Sequence, residues 1–317
     1  MTKESTLEPC GEPGTTPVVA TARHPSHGLG GMVLLTLLVV YVVWGSTYLV
    51  IRFALAAYPP LFFPALRFLF AGGTLVLLSK LRGTALPTRR QWANASLLAL
   101  MLLLIGNGCV VWAEQSVGSG LAATAVATVP LWTALFGMFW GEAPTRMQWV
   151  GLVVGFIGIL VLNLRSDLSG NLTAALLLVA SALSWSYGSL LGKRIDLPSG
   201  LMNPGAQMLT GGVMFLVLSG LKGESWVLVP DWHAALWVLY LAVLGSIVAF
   251  SAFVYLMSHA NAALATSYSY VNPVIAVLLG VAFGGESVTR DTLIAMALVV
   301  AGVALILAFT PRNGPRA

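Results

Sequence analysis

The chain has 317 residues, of which 58% are hydrophobic and 9% are charged, and its mean hydropathy is +0.88. Soluble domains carry about 25% charged residues, so this chain has too few charges to cover a water-facing surface. Its 16 Lys and Arg against 11 Asp and Glu give a net charge of +5. These basic residues are scattered and form no stripe that would bind nucleic acid. The composition indicates an integral membrane protein.

Residues 1–30 are polar and contain Glu4, Glu8 and Glu12. They lack the basic start and small-residue cleavage site of a signal peptide, so we expect a disordered cytoplasmic tail. Cys10 lies in this tail and Cys109 lies inside an apolar run. Neither has the spacing of a metal ligand or a disulfide partner, and we expect no metal and no cofactor.

Ten apolar segments follow, each near the 20 residues that cross a hydrocarbon core of about 30 Å. Their predicted limits are 31–51, 61–80, 93–113, 119–140, 148–164, 172–192, 204–221, 234–256, 262–283 and 292–310. The connecting loops are too short to hold a soluble domain. We predict an all-α polytopic membrane protein with ten transmembrane helices.

The placement of Lys and Arg predicts the orientation of these helices. With the N-terminus in the cytoplasm, eleven of the 16 basic residues fall in cytoplasmic segments and four fall in outside loops. The remaining one, Arg67, lies within the second span. We therefore predict a multi-pass protein of a bacterial inner membrane with both termini in the cytoplasm.

The two halves of the chain repeat each other at offsets of 141 to 144 residues. The matched positions include Trp44 with Trp185, Pro130 with Pro273, and Gly141-Glu142 with Gly285-Glu286. The predicted repeats are 31–164 and 172–310, each with five helices. Because five is odd, the second repeat enters the membrane from the opposite side. This pattern predicts an inverted repeat with a binding site near the midplane between the halves.

Several motifs of this sequence are familiar. They are Trp44-Gly45-Ser46-Thr47-Tyr48, Arg67-Phe68, Pro130 with Gly141-Glu142, Ser184-Trp185-Ser186-Tyr187-Gly188, and the stretch 265–273 closed by Gly285-Glu286. In these motifs the chain resembles the drug/metabolite transporter superfamily, EamA type, and most of all its YddG/YedA-like exporters of amino acids and metabolites. The resemblance implies a basket of ten helices with pseudo-twofold symmetry. It also implies a central cavity lined by helices 1, 3, 4, 6, 8 and 9, and export of small amino acids or metabolites.

Neutral polar and aromatic residues recur at helical spacing in the predicted spans. Aromatic faces accept apolar side chains and cations, and amides and hydroxyls bind carboxylate and ammonium groups. We predict substrate binding by Trp44, Tyr48, Asn107, Trp112, Thr128, Trp132, Trp185, Tyr255, Tyr268 and Asn272. The alternatives for single members are interfacial anchoring of aromatic rings and hydroxyl bonds to the helix backbone.

Ionisable residues are almost absent from the predicted spans. Arg67 lies roughly two turns into the second span, while Glu114, Glu142 and Glu286 lie at helix ends. We assign structural or gating roles to Arg67, Glu142, Glu286, Pro130 and Pro273, since each proline removes a backbone hydrogen bond. Without a deep acid or histidine to carry protons, we expect facilitated uniport by alternating access. An importer or a proton-coupled exporter of another metabolite or drug is the alternative.

Two further features have less specific interpretations. Gly118-Ser119-Gly120 superficially resembles a protease serine, but no histidine pairs with it by sequence, and we expect a transporter rather than an enzyme. Gly151 and Gly155 form a GxxxG pair, which packs the fifth helix within its own half or onto a second copy. We favour the intramolecular role and a monomer, with a small-molecule substrate and the lipid bilayer as partners.

Overall fold

A computed structural model describes residues 30–117, 119–162, 172–226, 231–284 and 290–309. All regular elements in these ranges are helices, and the ten predicted helices are all present. Residues 1–29 of the expected tail and the predicted gating residue Glu286 lie outside the described residues.

The helices are numbered here by membrane span. They are α1 (Gly31–Leu55), α2 (Phe62–Leu81), α3 (Arg89–Ala113), α4 (Ser119–Val126 and Val129–Phe139), α5 (Arg146–Leu162), α6 (Leu172–Leu191), α7 (Met202–Leu221), α8 (Trp232–His259), α9 (Ala262–Thr266 and Tyr268–Gly284) and α10 (Arg290–Ala308). Within the described residues, α1, α2, α3, α6, α7 and α8 are each long and apolar enough to cross a membrane by length and composition. Large apolar side chains face outward, such as Phe139 at 85% exposure, as a lipid-facing surface requires.

Two helices contain a wide π turn that the sequence pattern did not predict. The π segments are Ala99–Asn107 in the middle of α3 and Leu241–Val248 in the middle of α8. In a π turn the carbonyl of residue i accepts from the N–H of residue i+5, which widens the helix. Such turns are frequently found at functional sites. In α8 the hydroxyl of Ser246 donates to the carbonyl oxygen of Leu241 at 3.0 Å. The third helix of each half is therefore irregular at mid-membrane level.

The fourth helix of each half is interrupted rather than continuous. α4 breaks at residues 127–128, and α9 breaks at Ser267. Pro130 then lies in the first turn of its segment, where the missing N–H removes no helix bond. Pro273 lies inside its segment and does remove one. The expectation that each proline removes a backbone hydrogen bond is therefore wrong for Pro130.

Two helix pairs join the halves through glycines. α2 packs antiparallel on α7, where a Cβ added to Gly72 would lie 2.3 Å from the backbone nitrogen of Leu209. α5 packs antiparallel on α10, where a Cβ on Gly302 would lie 2.6 Å from the nitrogen of Gly155. The glycine pair of α5 thus contacts the other half of the same chain, not its own half.

The remaining packing between the halves is reciprocal. α1 packs on α8 and α9 of the second half, and α6 packs on α3 and α4 of the first. The contacts between Trp44 and Gly245, and between Ser181 and Gly106, belong to these two groups. Since α1 and α6 each cross to the other half, the space between the halves is enclosed by both.

Candidate functional site

A cavity of about 70 Å³ lies between the two halves. A single water molecule needs roughly 10–15 Å³ of such volume, so several waters or the polar group of a small molecule fit. The cavity is lined by Trp44, Thr47, Tyr48, Ile51, Arg67, Phe68, Leu103, Gly106, Asn107, Val110, Val126, Ser181, Trp185, Gly245, Phe250, Tyr268 and Asn272. These residues come from the six helices that the resemblance implied, and also from α2.

Aromatic rings from four helices pack together beside the cavity, and four of the five residues line it. The ring of Trp44 lies 4.7 Å from that of Tyr268 in an edge-to-face arrangement, 5.2 Å from Phe253 and 5.5 Å from Trp185. Phe250 lies beside Trp185 at 6.4 Å. Edge-to-face pairs at these distances are favourable beyond their burial. We call Trp44, Trp185, Phe250, Phe253 and Tyr268 the aromatic cluster.

The two tryptophans of this cluster are held by the π segments. The indole of Trp44 donates from Nε1 to the carbonyl oxygen of Gly245 in α8, at 2.9 Å. Trp185 packs directly on Gly106 in α3, where an added Cβ would lie 2.8 Å from its ring. Ser181 donates to the carbonyl of Gly106 and Ser184 to that of Met101. Side chains of α1 and α6 thus donate to backbone carbonyl oxygens in the π segments, where the regular i to i+4 pairing of an α-helix is disturbed.

Three residues of the cavity lining each have a buried polar atom with no hydrogen-bond partner among the described residues. These atoms are Nη1 of Arg67, Oδ1 of Asn107 and Oδ1 of Asn272. The first is a donor and the other two are acceptors. The indole of Trp185 instead interacts with the side chain of Tyr268. A buried polar group without a partner costs free energy, so this wall is suited to a ligand that both accepts and donates hydrogen bonds.

Arg67 makes the cavity wall positively charged at one point. Its Nε donates to the hydroxyl of Ser246 at 2.6 Å, and its guanidinium carbon lies 4.7 Å from the centre of the Phe68 ring. The expectation of an uncharged lining is therefore wrong at this position. Spacing along α2 did not show that this helix faces the cavity.

Six of the ten predicted substrate-binding residues line the cavity, namely Trp44, Tyr48, Asn107, Trp185, Tyr268 and Asn272. The other four do not. Trp112 lies under the ammonium of Lys222 at 4.1 Å, and Trp132 pairs with Phe136 at 6.5 Å. Thr128 donates to the carbonyl of Ala125, and Tyr255 stacks on His259. Thr128 matches the alternative of a hydroxyl bond to the helix backbone, whereas the three aromatic residues pack on neighbouring side chains.

The sequence did not single out several lining residues. Thr47 and Ile51 continue the helical stripe of Trp44 and Tyr48, so extending that stripe by one turn would have found them. Apolar members such as Leu103 and Val110 carry no such pattern, because residues that face lipid have the same chemistry.

Glu142 forms the ion pairs of a structural residue. Its carboxylate lies 2.7 Å from Nζ of Lys193 and 3.4 Å from a guanidinium nitrogen of Arg194, both just beyond the end of α6. Arg194 also donates to the carbonyl of Trp140 and lies over its ring at 4.8 Å. This contact joins the end of α4 to the end of α6, away from the cavity.

Among the described residues, no three His, Cys, Asp or Glu side chains group as metal ligands.

The fold and the cavity define a multi-pass membrane protein with a polar site between two halves. The model of the EamA-like transporter family matches residues 31–164 and again residues 172–308. The chain belongs to this family. It is a membrane transporter of the drug/metabolite type with a ten-helix fold, as the motifs predicted.

Individual relatives agree with this assignment. The chain is 44% identical over 271 residues to "Uncharacterized inner membrane transporter YedA" of Escherichia coli K12, covering 85% of this chain and 89% of the relative. It is 27% identical to "Uncharacterized transporter YvbV" of Bacillus subtilis, covering 84% and 88%. A solved structure described as "Crystal structure of protein" has the same fold, with a TM-score of 0.74 at 23% identity over 89% of this chain and 99% of that one. The Escherichia coli relative and the apolar helices together support a multi-pass inner-membrane protein.

Proposed function

We propose that the protein exports amino acids, aromatic or hydrophobic and other neutral ones, or related small metabolites. The observation that carries this proposal is the set of three partnerless polar atoms on residues of the cavity lining, one donor and two acceptors. An amino acid presents an acceptor group and a donor group about one carbon apart and can satisfy both kinds of atom. The aromatic rings beside them suit an apolar side chain.

Alternating access between two inverted halves is the proposed mechanism. Equivalent helices of the two halves, α2 with α7 and α5 with α10, run antiparallel where they pack. Antiparallel packing of equivalent helices supports an inverted repeat, in which one half rocks against the other around a fixed site. The reciprocal packing of α1 and α6 supports the same symmetry.

The aromatic cluster is proposed to be the cytoplasmic gate. The lining residues of α1 and α3 lie in the later half of each helix, which faces outside if both termini are cytoplasmic. In that orientation Phe253, near the end of α8, and Tyr268, near the start of α9, lie toward the cytoplasm. Beyond them the hydroxyls of Tyr41 and Ser267 share a hydrogen bond of 2.6 Å between α1 and α9. Opening toward the cytoplasm would require this bond and these ring contacts to separate.

Counterflow in proteoliposomes tests the proposal. Purified protein is loaded with unlabelled compound and challenged with labelled amino acids, sugars and nucleosides. We expect saturable uptake of phenylalanine or leucine by the wild type. This uptake should be lost in Asn272→Ala and kept in Trp132→Phe, which alters a ring outside the lining. Activity confined to phosphorylated sugars, or no uptake of any amino acid, overturns it. Counterflow detects substrate exchange in either direction and does not separate an exporter from an importer. Measuring efflux of the same amino acid from cells that express the protein makes that distinction.

Uniport is the proposed coupling mode, and one observation favours a proton-coupled exporter as the second candidate. Glu114, at the end of α3, is buried, and neither carboxylate oxygen accepts a hydrogen bond in the described part of the chain. Arg52 and Tyr48 of α1 are the groups that interact with it electrostatically. A buried acid of this kind is a possible proton carrier. The test is uptake of a zwitterionic substrate under an imposed pH gradient. Uptake that follows the gradient in the wild type and becomes independent of it in Glu114→Gln would establish proton coupling and refute uniport.

A further inference from the structure

Arg67 is a buried cation that forms no ion pair with any other described residue. Its side chain is 4% exposed, and none of the ion pairs within the described residues includes it. Its polar contact is the 2.6 Å hydrogen bond from Nε to the neutral hydroxyl of Ser246. A charge inside a membrane protein is costly unless it is paired, and such residues usually mark a substrate path. Because an unpaired buried charge lowers the stability of the fold, the position of Arg67 is better explained by a role in binding substrate.

The guanidinium is held in place rather than free to move away. Ser246 itself donates to the carbonyl of Leu241 in the π segment of α8, so its hydroxyl oxygen is oriented toward Arg67. The ring of Phe68 lies 4.7 Å from the guanidinium carbon, a favourable cation–π contact. Of the two terminal nitrogens, Nη1 is buried and has no hydrogen-bond partner among the described residues, and Arg67 is part of the cavity lining.

The other partnerless atoms on this wall are uncharged. Oδ1 of Asn107 and Oδ1 of Asn272 are both acceptors. The wall thus offers a charge to an anionic group and neutral oxygens to a cationic one. An ammonium group without a carboxylate would meet the repulsion of Arg67 and gain only neutral bonds.

We propose that Arg67 binds the carboxylate of the substrate and thereby restricts transport to compounds that carry one. This inference rests on the proposed function and adds the group that selects the substrate class. A guanidinium pairs with a carboxylate through two parallel hydrogen bonds, which lysine cannot reproduce. A single guanidinium supplies one positive charge, so the site fits a monocarboxylate better than a dianionic phosphate ester. Asn107 and Asn272 accept from the ammonium of an amino acid, which makes that group helpful but not required.

Three compounds that share a phenyl ring separate these requirements. Phenylalanine carries both groups, 3-phenylpropionate carries only the carboxylate, and phenethylamine carries only the amine. Counterflow in proteoliposomes is measured for each with the full-length wild-type protein, Arg67→Gln and Arg67→Lys. Arg82→Gln, which removes an exposed arginine just beyond the end of the same helix α2, is the matched control.

Wild type and Arg82→Gln are expected to bind phenylalanine and 3-phenylpropionate and to reject phenethylamine. In Arg67→Gln the affinity for both carboxylates should fall on the order of 10- to 100-fold, as for the loss of a charged hydrogen bond. The same variant should lose its discrimination against phenethylamine, a change that simple misfolding does not produce. Arg67→Lys should retain part of the affinity.

Each other result is decisive. If wild type transports phenylalanine and phenethylamine equally well, the inference fails while the proposed function stands. If wild type transports neither amino acid nor carboxylate, the proposed function itself fails. Should Arg67→Gln not fold, the wild-type comparison of the three compounds and the Arg67→Lys variant still decide the question.

Discussion

The indole of Trp44 in α1 and the carbonyl of Gly245 in α8 are joined by a hydrogen bond of 2.9 Å across 201 residues of sequence. The bond is buried and ends on a π segment, where the regular pairing of carbonyls is disturbed. It fixes the ring at the centre of the aromatic cluster, where Trp44 also lines the cavity. Trp44 therefore links the second half of the chain to the first at the site itself.

Replacing Trp44 with Phe tests this link. The variant keeps an aromatic ring but leaves the buried carbonyl of Gly245 without its donor, which costs about 1–3 kcal/mol. We expect a lower melting temperature in detergent and slower counterflow. Trp132→Phe is the control, because Trp132 lies outside the lining. Equal melting temperatures for the two variants would contradict the importance of the bond.

Two adjacent glycines of α2 test the packing between the halves. A Cβ on Gly72 would meet the backbone of Leu209 at 2.3 Å, whereas one on Gly73 meets no atom within 4 Å. We expect Gly72→Ala to destabilise the protein by about 1–3 kcal/mol, as overpacking does. Gly73→Ala should be neutral or slightly stabilising, since alanine favours a helix over glycine by up to about 1 kcal/mol. Thermal unfolding of the two variants side by side gives the answer, and similar melting temperatures would argue against close contact of α2 with α7.

Glu142 is predicted to contribute little to stability despite its two basic partners. The pairs with Lys193 and Arg194 lie at a partly exposed surface, with a side-chain exposure of 29% for Glu142, and such pairs are worth about 0–1 kcal/mol. Glu142→Gln should lower the melting temperature slightly at low salt. In high salt, where ions screen surface charges, wild type and variant should become indistinguishable. A large loss of stability that persists in salt would show a role beyond these pairs.

The predicted orientation places both termini in the cytoplasm, because eleven of 16 basic residues then lie on that side. Fusion of green fluorescent protein to the C-terminus should give fluorescent cells, and fusion of alkaline phosphatase there should give inactive enzyme. A phosphatase fused in the loop after α7, beside Lys222, should be active. The reverse pattern would invert the assignment of the aromatic cluster as the cytoplasmic gate.

The sequence predicted the ten helices because each must bury its own backbone hydrogen bonds in the membrane and needs a long apolar run to do so. It predicted most of the site less directly. Trp44, Trp185 and Asn272 were found because motif or repeat pairs them, and Tyr48 because it lies one turn from Trp44. Trp112 and Trp132 share the same chemistry and spacing but pack elsewhere. Helical periodicity gives the relative phase of side chains along one helix and does not say which stripe faces inward.

Composition and pattern alone determined the membrane location, the number of helices and the family, because these follow from local hydrophobicity and short motifs. The tertiary structure decided what depends on contacts between distant segments. It brought Arg67 to the cavity through Ser246, widened α3 and α8 into π turns that hold the tryptophans, and buried Glu114. A buried charge and a free carbonyl are defined by their neighbours in space, and no single stretch of sequence contains those neighbours.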